Sequence, residues 1–178
     1  MIADFGFGLI IAVLMNMFFY HNNPDRYLIC LGPVAALIVD LDFLIYMHNT
    51  NWVYDRWTYR HRQILHHPIP VIFGGALAFS FVGIEYSAVW AYGTFYHFTH
   101  DTFNAWGICW LSPFCEFFID FSNESPFKFH KNKKEQEERV RQYGQDKWCK
   151  NLYHWKSPNL WLELCILASG IVFVYWWL

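Results

Sequence analysis

Charge is scarce in this chain. Thirteen Lys and Arg and 15 Asp and Glu make up 16% of its 178 residues, against about 25% in an average soluble domain. The ionisable residues are also unevenly placed, which leaves long stretches almost bare of them. That excludes a disordered chain and argues against an ordinary soluble globule. The net charge of −2 supplies no basic field, so nucleic acid is not an expected partner. The five cysteines (Cys30, Cys109, Cys115, Cys149 and Cys165) form no C-x-x-C pair, and an odd number cannot all pair within one chain. They read as reduced structural thiols. No Lys or Arg precedes the first apolar run and no small-residue cleavage site follows it, so the N-terminus reads as a retained membrane segment rather than a signal peptide. No internal repeat or low-complexity tract is visible.

What the chain has instead is apolar and aromatic surface. Hydrophobic residues reach 55% and aromatics 22%, with 18 Phe, 11 Tyr and 10 Trp. A helix needs about 20 apolar residues to cross a bilayer. Residues 2–20 and 27–47 satisfy this, separated by the polar turn 21–26. Residues 160–178 form a third run, ending in the interfacial anchor Tyr175-Trp176-Trp177. The stretch 68–103 is too long for one ordinary span. Gly83 and Glu85 fall near its middle, where a turn would bring Glu85 to the opposite interface and leave two helices of about 16–18 residues, short but workable with tilt or local thinning. A hairpin puts 12 of the 13 Lys and Arg on one side of the membrane, whereas a single span splits them 10 to 3. The positive-inside tendency favours the hairpin. The expected fold is therefore all-α, a polytopic membrane bundle of about five segments, with the N-terminus cytoplasmic and the C-terminus outside.

Three regions follow from this layout: a membrane-embedded core over 1–115, an interfacial and charged cytoplasmic loop over 116–158, and a C-terminal transmembrane helix over 159–178. Within the loop, residues 114–121 are aromatic with spaced acids, as in a helix lying on the membrane. Residues 128–150 read as a charged helix carrying the i,i+4 pairs Glu135–Arg139 and Glu137–Arg141. Its alternating signs favour a solvated face over an electrostatic grip on anionic head groups.

Ionisable groups within membrane segments are costly and mark functional sites. Here they gather in four places: Asp4, Asp40 with Asp42, His61 with His66, and His97 with His100 and Asp101. In the hairpin topology all four lie at one membrane depth, on the basic side. Charge bias and convergence of these side chains thus select the same topology. Carboxylates and imidazoles together suit Zn²⁺, with Mn²⁺ or Fe²⁺ as alternatives, better than Ca²⁺ or Mg²⁺. His97 and Asp101 are four apart and share a helix face. Asp40 and Asp42 are two apart and converge only if the helix frays or ends there. His61 and His66 fit a loop or helix entry, with Pro68 in an early turn. His67 and His100 adjoin these residues without a firm role. Asp4 also suits a helix N-terminus through the dipole. His21, His48, His130 and His154 read as ordinary interfacial histidines.

The ordered motifs Asp40-Leu41-Asp42, His61-Arg62-Gln63-Ile64-Leu65-His66 and His97-Phe98-Thr99-His100-Asp101, followed by Gly107 and Pro113-Phe114, resemble the YdjM-like family of membrane-bound metal-dependent hydrolases, also described as LexA-regulated inner-membrane hydrolases. The family pattern is D-x-D, H-R-x-x-x-H and H-x-x-x-D, then a glycine and Pro-Phe. The likeness spans about residues 1–115. Where members usually carry a first-helix His this chain has Asp4, and Val39 replaces the proline common before D-x-D. Leu65 and His67 replace small or hydroxylated residues. The resemblance implies hydrolysis of a lipid or lipid-linked phosphoester at the cytoplasmic membrane face, phosphoester chemistry entering by analogy with zinc-dependent phospholipase C and nuclease folds.

The expected ligands are Asp4, Asp40, Asp42, His61, His66, His97 and Asp101, holding one or two divalent ions. Asp42 or Asp101 would orient the attacking water, and Arg62 would meet a phosphate oxygen or snorkel to head groups. The competing expectation is a non-catalytic membrane protein, either a metal or proton conduit or a scaffold in which the polar cluster fixes helix packing.

Overall fold

The computed structural model of the chain describes residues 2–21, 23–53, 55–62, 65–103, 107–122, 125–130, 132–143, 146–147, 150 and 153–178. Helix α1 (Ile2–Tyr20) is the hub, packing against α2 (Arg26–Leu37), α5 (Ile84–Thr102) and α7 (Pro158–Trp177). Small residues permit these contacts. A Cβ on Gly32 would lie 2.1 Å from the Gly8 carbonyl oxygen, and one on Gly6 would lie 2.5 Å from the Leu167 Cα. Lipid offers no hydrophobic drive for helices to associate, so such close backbone packing holds the bundle together.

The second membrane segment does not end at the acidic pair. It runs from α2 through a 3₁₀ turn (Ile38–Asp40) into α3 (Leu41–Asn49), a continuous apolar stretch of 24 residues. The expected fraying or ending is corrected: the helix runs on through a 3₁₀ turn, and at two-residue spacing on a continuing helix Asp40 and Asp42 point in different directions. Among the described residues three helices, Ile2–Tyr20, Arg26–Asn49 and Pro158–Trp177, are long and apolar enough to cross a membrane.

The central apolar stretch doubles back. A turn at residues 81–83 separates α4 (Gly75–Ser80), which continues a π-helical turn over Pro70–Gly74, from the 19-residue α5. The two arms pack together. They are less equal than expected, because the first is an apolar helix of only Pro70–Ser80. The hairpin tip is fastened to the α1–α2 turn: the Tyr20 hydroxyl donates to Glu85 at 2.5 Å, and the Tyr86 hydroxyl donates to Asp25. Asp25 also caps α2 through the Tyr27 and Leu28 amides, while its own amide donates to Asn16 at 2.6 Å. Between this polar fastening and the opposite end lies a buried apolar layer that includes Leu9, Ala12, Val13, Leu28, Ala35 and Val89.

Two loop expectations are corrected. Residues 114–121 are not an interfacial helix, since β2 (Phe118–Ser122) joins β1 (Ile108–Cys109) and β3 (Ser125–His130) in an antiparallel sheet ordered β1-β2-β3. The Ile119-Asp120-Phe121-Ser122 stretch alternates with a period of two, and its aromatic and β-branched residues favour a strand. Residues 128–150 are not one helix either. The strand runs to His130 and helix α6 covers only Lys133–Tyr143. The Asn132 side chain accepts from the Glu135 amide at 3.0 Å and so starts α6; 131, 144–145 and 148–149 lie outside the described residues. Arg139, expected to pair with Glu135, turns inward to a buried bond with Asp120 at 2.7 Å. Cys30, Cys109, Cys115 and Cys165 are free thiols, and Cys149 lies outside the described residues.

Replacing Gly8 or Gly32 with Leu should prevent α1 and α2 from closing. Overpacking of this kind costs about 1–3 kcal/mol or more. The expected readout is loss of monodisperse protein in detergent, whereas Gly74→Leu, which meets nothing within 4 Å, should purify normally.

Candidate metal centre

Four chain segments deliver the polar side chains to one end of the bundle. Asp4 lies in the first turn of α1, Asp40 closes the 3₁₀ turn, and His97, His100 and Asp101 lie in the last turns of α5. The loop after α3 contributes His61, from a 3₁₀ turn over Thr58–His61, and His66, just ahead of the first hairpin arm. Gln63 and Ile64, within the H-R-x-x-x-H element, lie outside the described residues. Residues 97 and 101 are therefore beside 40 and 61, as the hairpin requires.

His97 is at the centre of the cluster. Its side chain is 2% exposed, and neither ring nitrogen has a hydrogen-bond partner among the described residues. Nδ1 faces Asp4 Oδ1, and Nε2 faces both Asp40 Oδ1 and Asp101 Oδ2, each at 3.7 Å. Those separations exceed a hydrogen bond and match donor atoms arranged around an ion between them.

The other histidines are oriented through their Nδ1 atoms. His61 Nδ1 donates to the Thr58 carbonyl at 2.5 Å, which turns Nε2 away from that anchor. Burial, reinforced by the adjacent Arg62, pushes the His61 imidazole down to about 3, so it stays neutral and fit to ligate. His66 Nδ1 lies 3.0 Å from Asp42 Oδ2, and its Nε2 lies 3.2 Å from Asp101 Oδ2. Burial opposes charge on His66, yet the Asp101 and Asp42 carboxylates outweigh it and hold the ring above its ordinary value. Such a pair of carboxylates attracts a proton or a metal ion.

The residues expected from sequence thus take different places. Asp40, His61 and His66 bring donor atoms within 4.8 Å of one another, as do His66, His97 and Asp101, and Asp4, Asp40 and His97. Asp42 stands behind His66, where it also accepts from the Leu65 amide at 3.3 Å. The structure therefore gives it the position of an orienting carboxylate. Arg62, 8% exposed, bonds Asp101 Oδ2 at 2.7 Å and donates to the Gly107 carbonyl at 2.9 Å. It is turned toward the protein rather than toward head groups. His100 belongs to the cluster too, with Nδ1 3.0 Å from Asp4 Oδ1; its i,i+3 spacing from His97 was the available signal. His67 is 2.5 Å from the Ser112 hydroxyl, tying the site loop to residues 109–115.

Glu163 went unnoticed in the sequence. It is 5% exposed, and Oε2 accepts from the Ala3 amide at 3.4 Å. The positive end of α1 favours a carboxylate there, and a lone Glu in an apolar run of α7 was a readable sign of a buried contact.

The YdjM inner membrane protein family matches residues 3–177. The chain belongs to that family. The match extends past the motif-bearing half and takes in the sheet, α6 and α7, so the whole YdjM chain, and not only its first 115 residues, is the family unit. No curated protein and no solved structure matches the chain.

Asp42→Asn should leave the fold intact and weaken retention of a bound divalent ion by about 10–100-fold, the usual cost of losing a carboxylate behind a ligating histidine. Competition against a coloured chelator measures this; unchanged retention would remove Asp42 from its orienting role.

Proposed function

We propose that this YdjM protein is a metal-dependent hydrolase that cleaves a phosphoester of a lipid or lipid-linked molecule at the cytoplasmic face of the inner membrane. The observation that carries the reading is the buried His97 imidazole, whose ring nitrogens have no hydrogen-bond partner among the described residues and are faced by three carboxylates at 3.7 Å. Desolvated acids this close to one another require cations. The donor set of imidazoles and carboxylates fits zinc, with manganese or iron as alternatives.

Asp4, Asp40, His61, His66, His97 and Asp101 would hold the metal. Bound there, a divalent metal supplies Lewis-acid polarisation of a phosphoryl oxygen and a water made nucleophilic near neutral pH. The protein's own part is positional. Thr58 and Asp42 fix the rings of His61 and His66, and His100 steadies Asp4. Arg62 fixes the Asp101 carboxylate through the 2.7 Å contact, in position to orient a water.

Depth supports a lipid substrate. Helical rise puts Asp4 and Asp40 about 22–24 Å from the Tyr20–Asp25 turn, within the ~30 Å span of a bilayer core. The cluster then sits roughly 6–8 Å inside one edge of the hydrocarbon core, far closer to that lipid surface than to the other. With the N-terminus cytoplasmic, that surface is the basic one. The apolar layer between the cluster and the Asn16–Asp25 fastening argues against a conduit, which needs polar groups along its length.

Protein purified with its metal should hydrolyse generic phosphodiester or phosphomonoester substrates, and lipid phosphoesters better. His97→Ala and Asp101→Ala should each lose metal and at least ~100-fold of the turnover, in line with removal of a ligand or its immediate support. Metal-free wild type, or unchanged turnover in both variants, would overturn the proposal.

A further inference from the structure

We infer that the cluster forms two adjoining cation positions that share the Asp40 and Asp101 carboxylates. The inference rests on the metal-dependent reading above and deepens it. Ligand atoms about 2.0–2.2 Å from one ion lie at most roughly 4.4 Å apart. The six ligand residues form three overlapping triads, each spanning up to 4.8 Å. Asp40 belongs to two of them, once with His61 and His66 and once with Asp4 and His97. The third triad joins one imidazole from each, His66 and His97, to Asp101. One position is therefore built by His61 and His66, the other by Asp4 and His97. Asp40 belongs to both, and Asp101 stands 3.2 Å from His66 and 3.7 Å from His97.

The anchoring contacts divide in the same way. Thr58 and Asp42 hold the two ligands of the first position. His100 holds Asp4 of the second. Arg62 holds the shared Asp101. His97, whose Nδ1 faces Asp4 and whose Nε2 faces both shared carboxylates, has no hydrogen-bonding anchor among the described residues.

The density of carboxylates points the same way: Asp4, Asp40, Asp42 and Asp101 all lie in this cluster, and each divalent cation held there lowers their mutual repulsion and makes the centre more attractive to an anionic ester. A phosphoester anion is the substrate class that a pair of cations clamps, one on the attacked and one on the leaving side.

The test uses the full chain purified in detergent, loaded with Mn²⁺ alone, desalted and analysed for manganese by mass spectrometry and by electron paramagnetic resonance. Wild type should retain two ions per chain and give the spectrum of an exchange-coupled pair. His61→Ala and Asp4→Asn should each retain one ion with an isolated-Mn²⁺ spectrum. Asp40→Asn should lose the coupling, and Asp40→Glu, which keeps a carboxylate, should restore it. Each variant is compared only where it elutes monodisperse; if His61→Ala does not, His61→Gln replaces it with the same expectation. A wild type that holds one ion and turns over substrate overturns the pair but leaves the hydrolase reading standing. A wild type without metal overturns both, and so would single variants that keep two ions.

Discussion

Burying carboxylates in an apolar bundle is the constraint around which this protein is organised. Asp4 and Asp42 are almost fully enclosed, and Asp40 and Asp101 nearly so. An ionised carboxylate taken out of water costs several kcal/mol unless it is paired. Among the described residues the chain provides the Arg62 guanidinium, four imidazoles and the Leu65 amide at that spot. Two local features gather these groups: the 3₁₀ turn that closes on Asp40, and the loop after α3 that brings His61 and His66 back to it.

Such a cluster holds its geometry only if the helices cannot slide. Two devices set the register. The glycine contacts bring α1 within backbone distance of α2 and α7. At the far end, the Tyr20–Glu85 and Tyr86–Asp25 bonds tie the hairpin tip to the α1–α2 turn. With both ends fixed, α1 and α5 must present Asp4 and His97 at one level. The fastening at the tip is thus a positional counterpart of the cluster about 20 Å away.

Much of this was legible in the sequence because membrane burial makes ionisable residues conspicuous. The converging acids and histidines, the hairpin and the family likeness all follow from where charge interrupts an apolar run. The finer division of labour was not legible. Whether Asp42 ligates or orients depends on a rotation within one helical turn, and the two-residue spacing to Asp40 is compatible with either. Arg62 is equally ambiguous in one dimension, since its partners Asp101 and Gly107 are 39 and 45 positions away. The sheet was missed because a short aromatic segment with alternating polarity carries both interfacial-helix and strand signals, and pairing with β1 and β3 decides between them. Glu163 was hidden by counting only the hydropathy of its run.

The extramembrane portion is joined to the site loop by two contacts of opposite character. Arg56 grips Asp146 through two bonds at 2.6 and 2.8 Å and donates to the Arg141 carbonyl, all at an exposed surface. Asp120 and Arg139 meet in the interior, behind Gly107. Mobile ions screen the first pair and scarcely reach the second. Ionic strength therefore acts on one clasp alone: concentrated electrolyte loosens the hold of Asp146 on the segment that leads into His61, while Arg139 keeps α6 seated on the strand that carries Asp120.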